Sequence, residues 1–473
     1  MTTNTIRVKD HFNSIAAKRD IWRERNAYYH REIQRLLAFL IPEQKTVLDI
    51  GSGTGDTLAA LKPSRGVGID IAGSMVEIAR QKYPHLEFKE ADVQMLPIQE
   101  KFSHVVLSDV VGNLDDVQTS FEELKKVTTE DSRVIITTYN HLWEPLLLLM
   151  EKLHLKMPQP QQNWLSRKDV QNILTLAGFE TVKKGSLLLL PVYIPLISTL
   201  VNRYLARLPI LRSMCLVQYV IARPVPHLHT NKEYSVSVII PARNEAGNIE
   251  QAIVRMPKLG SRTEIIFVEG GSSDNTKDEI ARVIEKYRGQ KEIVFIDQKD
   301  GKGKGDAVRK GFAKATGDIL MILDADLTVP PEDLPKFYTA LRTRLGEFVM
   351  GTRLIYPMED EAMRFLNIIG NKFFSAAFSW LLGQPIKDTL CGTKVMFREQ
   401  YEELARNRAY FGDFDPFGDF DLIFGAAKLN LKIVEIPIRY RARVYGTTNI
   451  SRFRHGWLLL QMTAFAARKI KFI

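Results

Sequence analysis

Two carboxylates one residue apart, Asp324 and Asp326, follow the apolar run 319–323. Side chains two apart on a strand share one face, and two close carboxylates repel unless a cation lies between them. A hard, oxygen-ligated Mg2+ or Mn2+ that also grips a diphosphate meets both conditions. An Asp-x-Asp on its own is more often a helix cap or a solvated turn. Here it ends a buried-type run and is preceded by the basic, glycine-rich loop Lys299-Asp300-Gly301-Lys302-Gly303-Lys304-Gly305, so it reads as a metal and diphosphate site. Two further strand ends carry polar residues: Pro241-Ala242-Arg243-Asn244-Glu245, and Glu269-Gly270-Gly271-Ser272-Ser273-Asp274.

A second constellation opens the chain. Val47-Leu48-Asp49-Ile50-Gly51-Ser52-Gly53-Thr54-Gly55 ends a strand and starts a helix. Glycines there let backbone N–H groups approach a ligand at a helix N-terminus. A dinucleotide turn wants Gly or Ala at position 56, where this chain has Asp56. Asp70, at the next strand end, suits a ribose diol, and Asp92, at the third, suits an exocyclic amine.

The elements that must hold these residues alternate. A charged, aromatic-rich pattern predicts a helix over 14–40, and strands are predicted over 46–50, 66–71, 102–108 and 133–139. A second series covers 236–240, 264–268, 292–296 and 319–323. Strand alternating with helix predicts α/β architecture with parallel, doubly wound sheets. The length of 473 residues suits two or three domains, and the Pro-rich, polar stretch 223–233 is the linker candidate. The expected domains are 1–225 and 234–473, with 226–233 between them.

The glycine turn followed by two acids in register resembles the class I S-adenosylmethionine-dependent methyltransferases, over about 10–225. The resemblance implies a Rossmann-like domain that binds S-adenosylmethionine through Asp49, Gly51, Gly53, Gly55, Asp70, Asp92 and Asp109, the last at the fourth strand end where methyl acceptors approach. The second half, about 234–455, resembles glycosyltransferase family 2 with its GT-A fold, within it the polyprenyl- or dolichyl-phosphate sugar transferases. That resemblance implies nucleotide-sugar contacts from Pro241, Arg243, Glu245, Glu269, Lys302, Lys304 and Asp324, and metal on Asp324 and Asp326. Gly351-Thr352-Arg353 stands where that branch has Gly-Ser-Arg, and Arg443-Val444-Tyr445-Gly446 where it has an Arg-x-x-Gly loop over the phosphates. Glu269 and Gly270 replace two Asp, Thr328 replaces Gln in several members, and Asn449 replaces a Lys that Arg452 and Arg454 could substitute in charge. His455 beside them is a diphosphate contact or a structural histidine.

The expected function is inverting, metal-dependent transfer of a sugar from a nucleotide-sugar to a polyprenyl phosphate, with methylation of a related sugar, lipid or glycan. The alternative is transfer to a glycan or protein hydroxyl, the first half serving only as an S-adenosylmethionine-binding or regulatory module. A hydroxyl acceptor needs a base, and Asp413, Asp415, Asp419 and Asp421 supply candidates, of which Asp419 and Asp421 are favoured; a solvated loop capping the next helix is the plain reading. Net charge is +10, and 439–473 holds eight Lys/Arg with no acid, interleaved with Tyr440, Tyr445, Phe453 and Trp457. That pattern suits phosphates and an interfacial segment better than nucleic acid, for which no reader motif is present. The apolar run 186–201 contains Pro191 and Pro195, and 365–383 is divided by Asn367, Asn371 and Lys372. Neither matches the ~20 apolar residues of a spanning helix. Both, with 457–467, are expected to be packing or interface-lying helices. Two distant cysteines, Cys215 and Cys391, form no disulfide framework, and the N-terminus is polar and charged. A cytoplasmic protein, peripheral on the inner face of the cell membrane, is expected.

Overall fold

Apolar runs that end in glycine or acid become the central strands of two sheets in the computed structural model. It describes residues 2–226, 232–299, 303–355, 365–410, 420–441, 443, 445 and 452–472, with only the backbone of 365–369, 371, 409 and 452–455. The chain divides into two compact units at Val225 and Pro226.

The first unit contains β1 (Thr46–Ile50), β2 (Arg65–Asp70), β3 (Glu87–Glu90), β4 (His104–Ser108), β5 (Arg133–Tyr139), β6 (Phe179–Leu187) and β7 (Val217–Pro224). They lie in the order β3-β2-β1-β4-β5-β7-β6. β1 to β5 pair in parallel, whereas β7 runs antiparallel between β5 and β6. Helices cover both faces, so the inner strands are continuously apolar: Val105, Val106 and Leu107 are all inaccessible. The strand order reverses between β1 and β4, and a crevice at their carboxyl ends is where ligands bind in such sheets. The single helix expected over 14–40 is instead broken into Arg19–Arg25 and Ala27–Leu40, preceded by Thr3–Ile15 and a tight turn. The break falls at Asn26 (φ −108°, ψ 30°).

The second unit contains β8 (Val236–Ala242), β9 (Thr263–Glu269), β10 (Glu292–Asp297), β11 (Ile319–Ile322), β12 (Phe348–Thr352), β13 (Lys394–Phe397) and β14 (Ile433–Pro437). Their order is β10-β9-β8-β11-β13-β12-β14, with β13 antiparallel to both neighbours. Each sheet is thus mixed, with one antiparallel strand inside it, where the alternation of strand and helix predicted parallel strands throughout. The helix Phe365–Leu382 buries Phe378, Leu381 and Leu382, and Phe378 stacks on Phe424 with ring centres 5.8 Å apart. The helix Arg452–Ala466 buries Leu459, Met462 and Ala466. Both spend most of their described apolar surface on packing and leave Phe373, Trp457 and Leu460 outside. Among the described residues no helix is long and apolar enough to cross a membrane.

Register at the start of the second sheet depends on Gly260. Its φ is +57°, and a Cβ there would lie 1.9 Å from the carbonyl oxygen of Tyr234. Gly260→Ala combines left-handed strain with a backbone clash, so a loss of about 2 kcal/mol or more is expected. Calorimetry should show the melting transition of the second unit moving down while that of the first stays in place.

Candidate functional site

Between β1 and the short helix Asp56–Ala60 the chain turns through Gly51, Gly53 and Gly55 at φ +72°, +53° and +85°. At Gly51 a Cβ would also lie 2.6 Å from Cγ2 of Val110, so the close approach of β4's loop requires glycine. Asp70 holds this turn: its carboxylate accepts from the N–H of Gly53 (2.8 Å) and of Ala72 (2.9 Å). Burial nevertheless raises its pKa, because those two bonds only partly offset desolvation. Asp49 is 2% exposed, and burial, then the charge of Asp70, pushes its carboxyl up to about 7. Its Oδ2 has no hydrogen-bond partner, nor has Oγ of neighbouring Ser52. Asp92 caps the turn Val93–Met95 by accepting from the N–H of Gln94 (2.9 Å).

Asp49, Gly51, Gly53, Asp70, Asp92 and Asp109 line one cavity of about 260 Å³. Gly55 does not line it; a Cβ there would strike Phe88 at 2.7 Å, so this glycine shapes the turn from behind. Asp109 sits at φ +58°, and its carboxylate accepts from the Tyr29 hydroxyl (2.5 Å) and Oγ1 of Thr137 (2.9 Å). Burial raises its pKa as well.

The cavity wall also contains residues that the sequence did not single out, among them Arg19, Tyr29, Tyr139 and Lys156. The helix break at Asn26 delivers Arg19 and Tyr29, and no spacing within 14–40 marks either one. Asp56, which argued against a dinucleotide, faces Lys82 (3.0 Å), Arg23 (3.2 Å) and the hydroxyl of Tyr83 (2.9 Å). Those cations hold its carboxyl below the usual range in spite of burial.

In the second unit the two acids lie beyond β11, which ends at Ile322. A shared strand face therefore does not describe them. The chain turns there, with the N–H of Leu327 donating to the carbonyl of Asp324 (3.1 Å) and Leu327 at φ +52°. Each carboxylate meets its own cation: Lys304 lies 2.6 Å from Asp324, and Arg443 lies 2.6 Å from Asp326. Lys304 contributes to holding Asp324 below its ordinary pKa, although burial pulls the other way. Thr328 donates to Asp326 from both its N–H (3.1 Å) and its hydroxyl (2.8 Å). This locks the turn with a residue the sequence comparison had marked only as a departure. Arg443 also reaches Glu245 at 3.3 Å, so Asp326, Arg443 and Glu245 form one group. The N–H of Arg441 donates to the carbonyl of Thr328 (3.1 Å), which ties this segment to the same turn.

Glu269 is buried and accepts from the N–H of Ser272 (2.6 Å), ordering the loop after β9. Pro241 is half-buried and Arg243 exposed where β8 meets the helix Ala246–Val254. Arg353 turns its guanidinium onto Asp388 through two bonds, 2.6 and 2.8 Å, and is itself raised in pKa by that carboxylate despite burial. Asp421 is buried beside Arg408 at 3.2 Å. Lys302, Asp413, Asp415, Asp419, Gly446 and Asn449 lie outside the described residues, as do the side chains of Arg452, Arg454 and His455. Among the described residues no group of three or more His, Cys, Asp or Glu is arranged to hold a metal.

Comparison with known proteins decides between readings of these two sheets. The family model "Methyltransferase domain" matches residues 21–184, and "Glycosyl transferase family 2" matches 237–405. This chain joins a methyltransferase domain to a family 2 glycosyltransferase domain. A dolichol-phosphate mannosyltransferase of Pyrococcus furiosus is 29% identical over 249 residues, 50% of this chain and 67% of that protein. The glycosyltransferase AglJ of Haloferax volcanii is 27% identical over 48% of this chain and 69% of its own length. A probable glycosyltransferase of Bacillus subtilis, YdaM, is 37% identical over 28% of this chain, but only 33% of that protein is covered. Among solved structures, the glucosyl-3-phosphoglycerate synthase of Mycobacterium tuberculosis covers 50% of this chain and 80% of its own at 20% identity, TM-score 0.37. The magnesium protoporphyrin IX methyltransferase of Synechocystis covers 47% of this chain and 99% of its own at 18% identity, TM-score 0.33.

Asp49 of the methyltransferase domain makes its stability depend on pH. The folded carboxyl titrates near 7 and the ordinary one at 3.8, so the unfolded chain ionises first as pH rises. Below 3.8 the residue costs nothing; between 3.8 and about 7 it lowers stability progressively, by an amount on the order of a few kcal/mol. Asp49→Asn is expected to flatten that fall, measured as the unfolding midpoint of the first unit against pH without ligand.

Proposed function

We propose that this chain transfers a sugar from a nucleotide-sugar to a polyprenyl phosphate, and methylates a related sugar, lipid or glycan with S-adenosylmethionine. The observation that carries the first half is the group at the carboxyl ends of β8 and β11: Lys304 on Asp324, and Arg443 shared by Asp326 and Glu245. Cations already gathered around two acids can turn to a diphosphate when it arrives, with little reorganisation. The archaeal relative named for dolichol phosphate supports the acceptor class.

In this reading an acceptor phosphate oxygen attacks the anomeric carbon, and the bond to the donor's diphosphate oxygen breaks with inversion. Lys304 and Arg443 take up the charge on the departing diphosphate. Glu245 and Asp326 hold Arg443 in place, and Arg353, bonded to Asp388, positions the segment after β12. The acceptor is already an oxyanion, so no general base is required. Asp421, engaged with Arg408, fits a positioning role.

The donor set suits a hard divalent ion, since two carboxylates share the turn. Glycine at 392 admits the close approach of Asp324 Oδ2 and Lys304 Nζ, which a Cβ would meet at 2.0 and 2.6 Å. Mg2+ or Mn2+ held by Asp324 and Asp326 would add positive charge to the leaving diphosphate.

The first site fits S-adenosylmethionine on a separate observation, the unpartnered buried Oδ2 of Asp49. A cationic group on the ligand would satisfy that oxygen, and Asp70 would hold the ribose. Arg19 makes no ion pair among the described residues and suits the ligand's carboxylate. The cofactor supplies an electrophilic methyl group; alignment by the walls of the cavity does most of the rest.

Two measurements separate the halves. Asp326→Ala and Arg443→Ala should each lower sugar transfer to undecaprenyl phosphate in detergent by about 100-fold or more, read by mass spectrometry over a panel of nucleotide-sugars. Transfer by Asp326→Ala at the wild-type rate, unchanged by EDTA, would sink the metal mechanism. Asp70→Asn should abolish S-adenosylmethionine binding in calorimetry, and absence of binding by the unmodified chain would remove the methylation half.

A further inference from the structure

The methyltransferase unit carries an apolar surface that its own packing does not use. The helix Glu144–Lys152 contains four consecutive leucines, yet only Leu147 is buried; Leu146, Leu148 and Leu149 face outward. The segment between β6 and β7 repeats the pattern with Tyr193, Leu200, Leu196 at 86% exposure and Ile210 at 80%. The two stretches adjoin. Trp143 donates its indole N–H to the carbonyl of Met214 (2.8 Å), and Asn140 donates to the carbonyls of Ser213 (2.8 Å) and Cys215 (2.9 Å). Both also line the ligand cavity, through Trp143, Leu147 and Met150 on one side and Pro191 and Val192 on the other. Together they form a collar around that cavity.

The polarity of the collar is inverted relative to a water-facing loop. Two of its polar side chains, Ser198 and Asn202, point inward and bond its own backbone. Oδ1 of Asn202 accepts from the N–H of Leu190 (2.9 Å), while its Nδ2 donates to the carbonyl of Leu190 (2.7 Å) and to Tyr28 (2.9 Å). Ser198, fully buried, accepts from the N–H of Ile194 and donates to the carbonyl of Val192, both at 2.7 Å. A loop whose hydrogen bonds are met internally while its leucines point out suits an apolar medium. Leu196 is also held at φ +64°, a conformation that bulky residues seldom adopt, so the most exposed apolar tip is a strained one.

Charge names the medium. From 181 to 225 the sequence has no Asp or Glu; Lys184, Arg203 and Arg212 are exposed there and Arg207 is half-buried, whereas Lys183 and Arg223 are buried in the sheet. Arg212 lies close enough to Arg167 to join burial in lowering that guanidinium's pKa, and burial and both arginines lower Lys184. Basic side chains beside an outward apolar face complement a surface of anionic lipid.

We infer that the methyltransferase unit docks through this collar onto an anionic lipid bilayer, and that its methyl acceptor is a lipid-anchored molecule entering from that surface. For the acceptor, this rests on the lipid-linked reading above; the docking is measured apart from any transfer. It places membrane contact on the first unit, whereas the sequence also offered 365–383 and 457–467 as interface-lying helices.

The test is co-sedimentation of the full chain with vesicles of phosphatidylcholine and phosphatidylglycerol, and with vesicles of phosphatidylcholine alone. Binding is expected to the first, weakening with salt, and at least ten-fold less to the second. Leu196→Asp with Ile210→Asp should lower the bound fraction at least ten-fold with S-adenosylmethionine affinity unchanged. Trp457→Asp should change it less than two-fold. Should the double variant lose cofactor affinity, Leu196→Ser replaces it, with a loss of at least three-fold expected. No binding by the unmodified chain, equal binding by the collar variants, or loss with Trp457→Asp alone would overturn the docking. So would a dimer in ultracentrifugation that the collar variants dissolve, since a second copy would then be the occupant. Failure of the sugar-transfer reading appears separately, as absent transfer to a short-chain prenyl phosphate in detergent while vesicle binding persists.

Discussion

Carboxylates wholly or partly removed from water at the carboxyl ends of parallel strands are the constraint on which both halves of this protein depend. A charge taken out of water is costly unless something compensates it, and each sheet meets the demand differently. In the methyltransferase unit backbone compensates Asp70 and side-chain hydroxyls compensate Asp109. Asp70 draws in the N–H groups of Gly53 and Ala72, which dictates the glycine turn. Asp49 is left with an unpartnered oxygen and a pKa pushed up to about 7. In the glycosyltransferase unit the compensation comes from side chains. Lys304 reaches Asp324 from the start of the helix after β10, and Arg443 reaches Asp326 from beyond β14. Long-range elements of the second sheet are therefore pulled to one turn by charge.

The difference matches the chemistry each site is proposed to perform. A sulfonium donor leaves as a neutral thioether, so its site needs an anionic lining, which Asp49, Asp70, Asp92 and Asp109 supply. A nucleotide-sugar leaves as a diphosphate, so its site needs cations close by that can change partner. Arg353 is excluded from that exchange by geometry: it is nearly enclosed and bound at two points to a fully buried carboxylate of Asp388. Breaking such a pair leaves an uncompensated buried charge, which costs about 3–5 kcal/mol. Arg443 is more open and divides its bonds between two acids, so it can turn toward a phosphate far more readily.

Most central strands were legible because doubly covered parallel strands are continuous apolar runs, and because turns at their ends need glycine or acid. Thus β5 appears at the predicted residues, and β8 and β9 differ only by a residue or two at the ends. What escaped was whatever depends on contacts distant in sequence. β12, β13 and β14 are four or five residues long and carry little pattern of their own. Arg19 and Tyr29 reach the cavity because the helix breaks at Asn26, whose side chain closes the preceding helix on the carbonyl of Trp22 (3.1 Å) but does not cap the next one. The Asp-x-Asp pair was found for its chemistry, but the strand-face geometry was wrong, since β11 ends at Ile322, before either acid, and Thr328 holds a turn. The roles of Asp388 and Asp421 were invisible or ambiguous until their arginine partners were in place.

The N-terminal helices finish the first site in a way that follows from the same electrostatics. Burial pushes His30 down to about 3, with Arg19 and Arg23 reinforcing it, so this imidazole stays neutral and adds no charge to the wall. Arg23 is answered by Asp56, which Lys82 also holds. Arg19 has no such answer among the described residues, and its charge is felt at Asp70 and Asp109. The cavity thus has one unanswered cation and one unpartnered carboxylate oxygen, on Arg19 and Asp49. A zwitterion with its amino and carboxylate groups close together would satisfy both, as the methionine end of the proposed S-adenosylmethionine would. Arg19 lies in the segment before the first strand, which the break at Asn26 turns toward the sheet. In the proposed reading the broken helix belongs to the cofactor site, because it brings Arg19 to the wall that Asp49 shares.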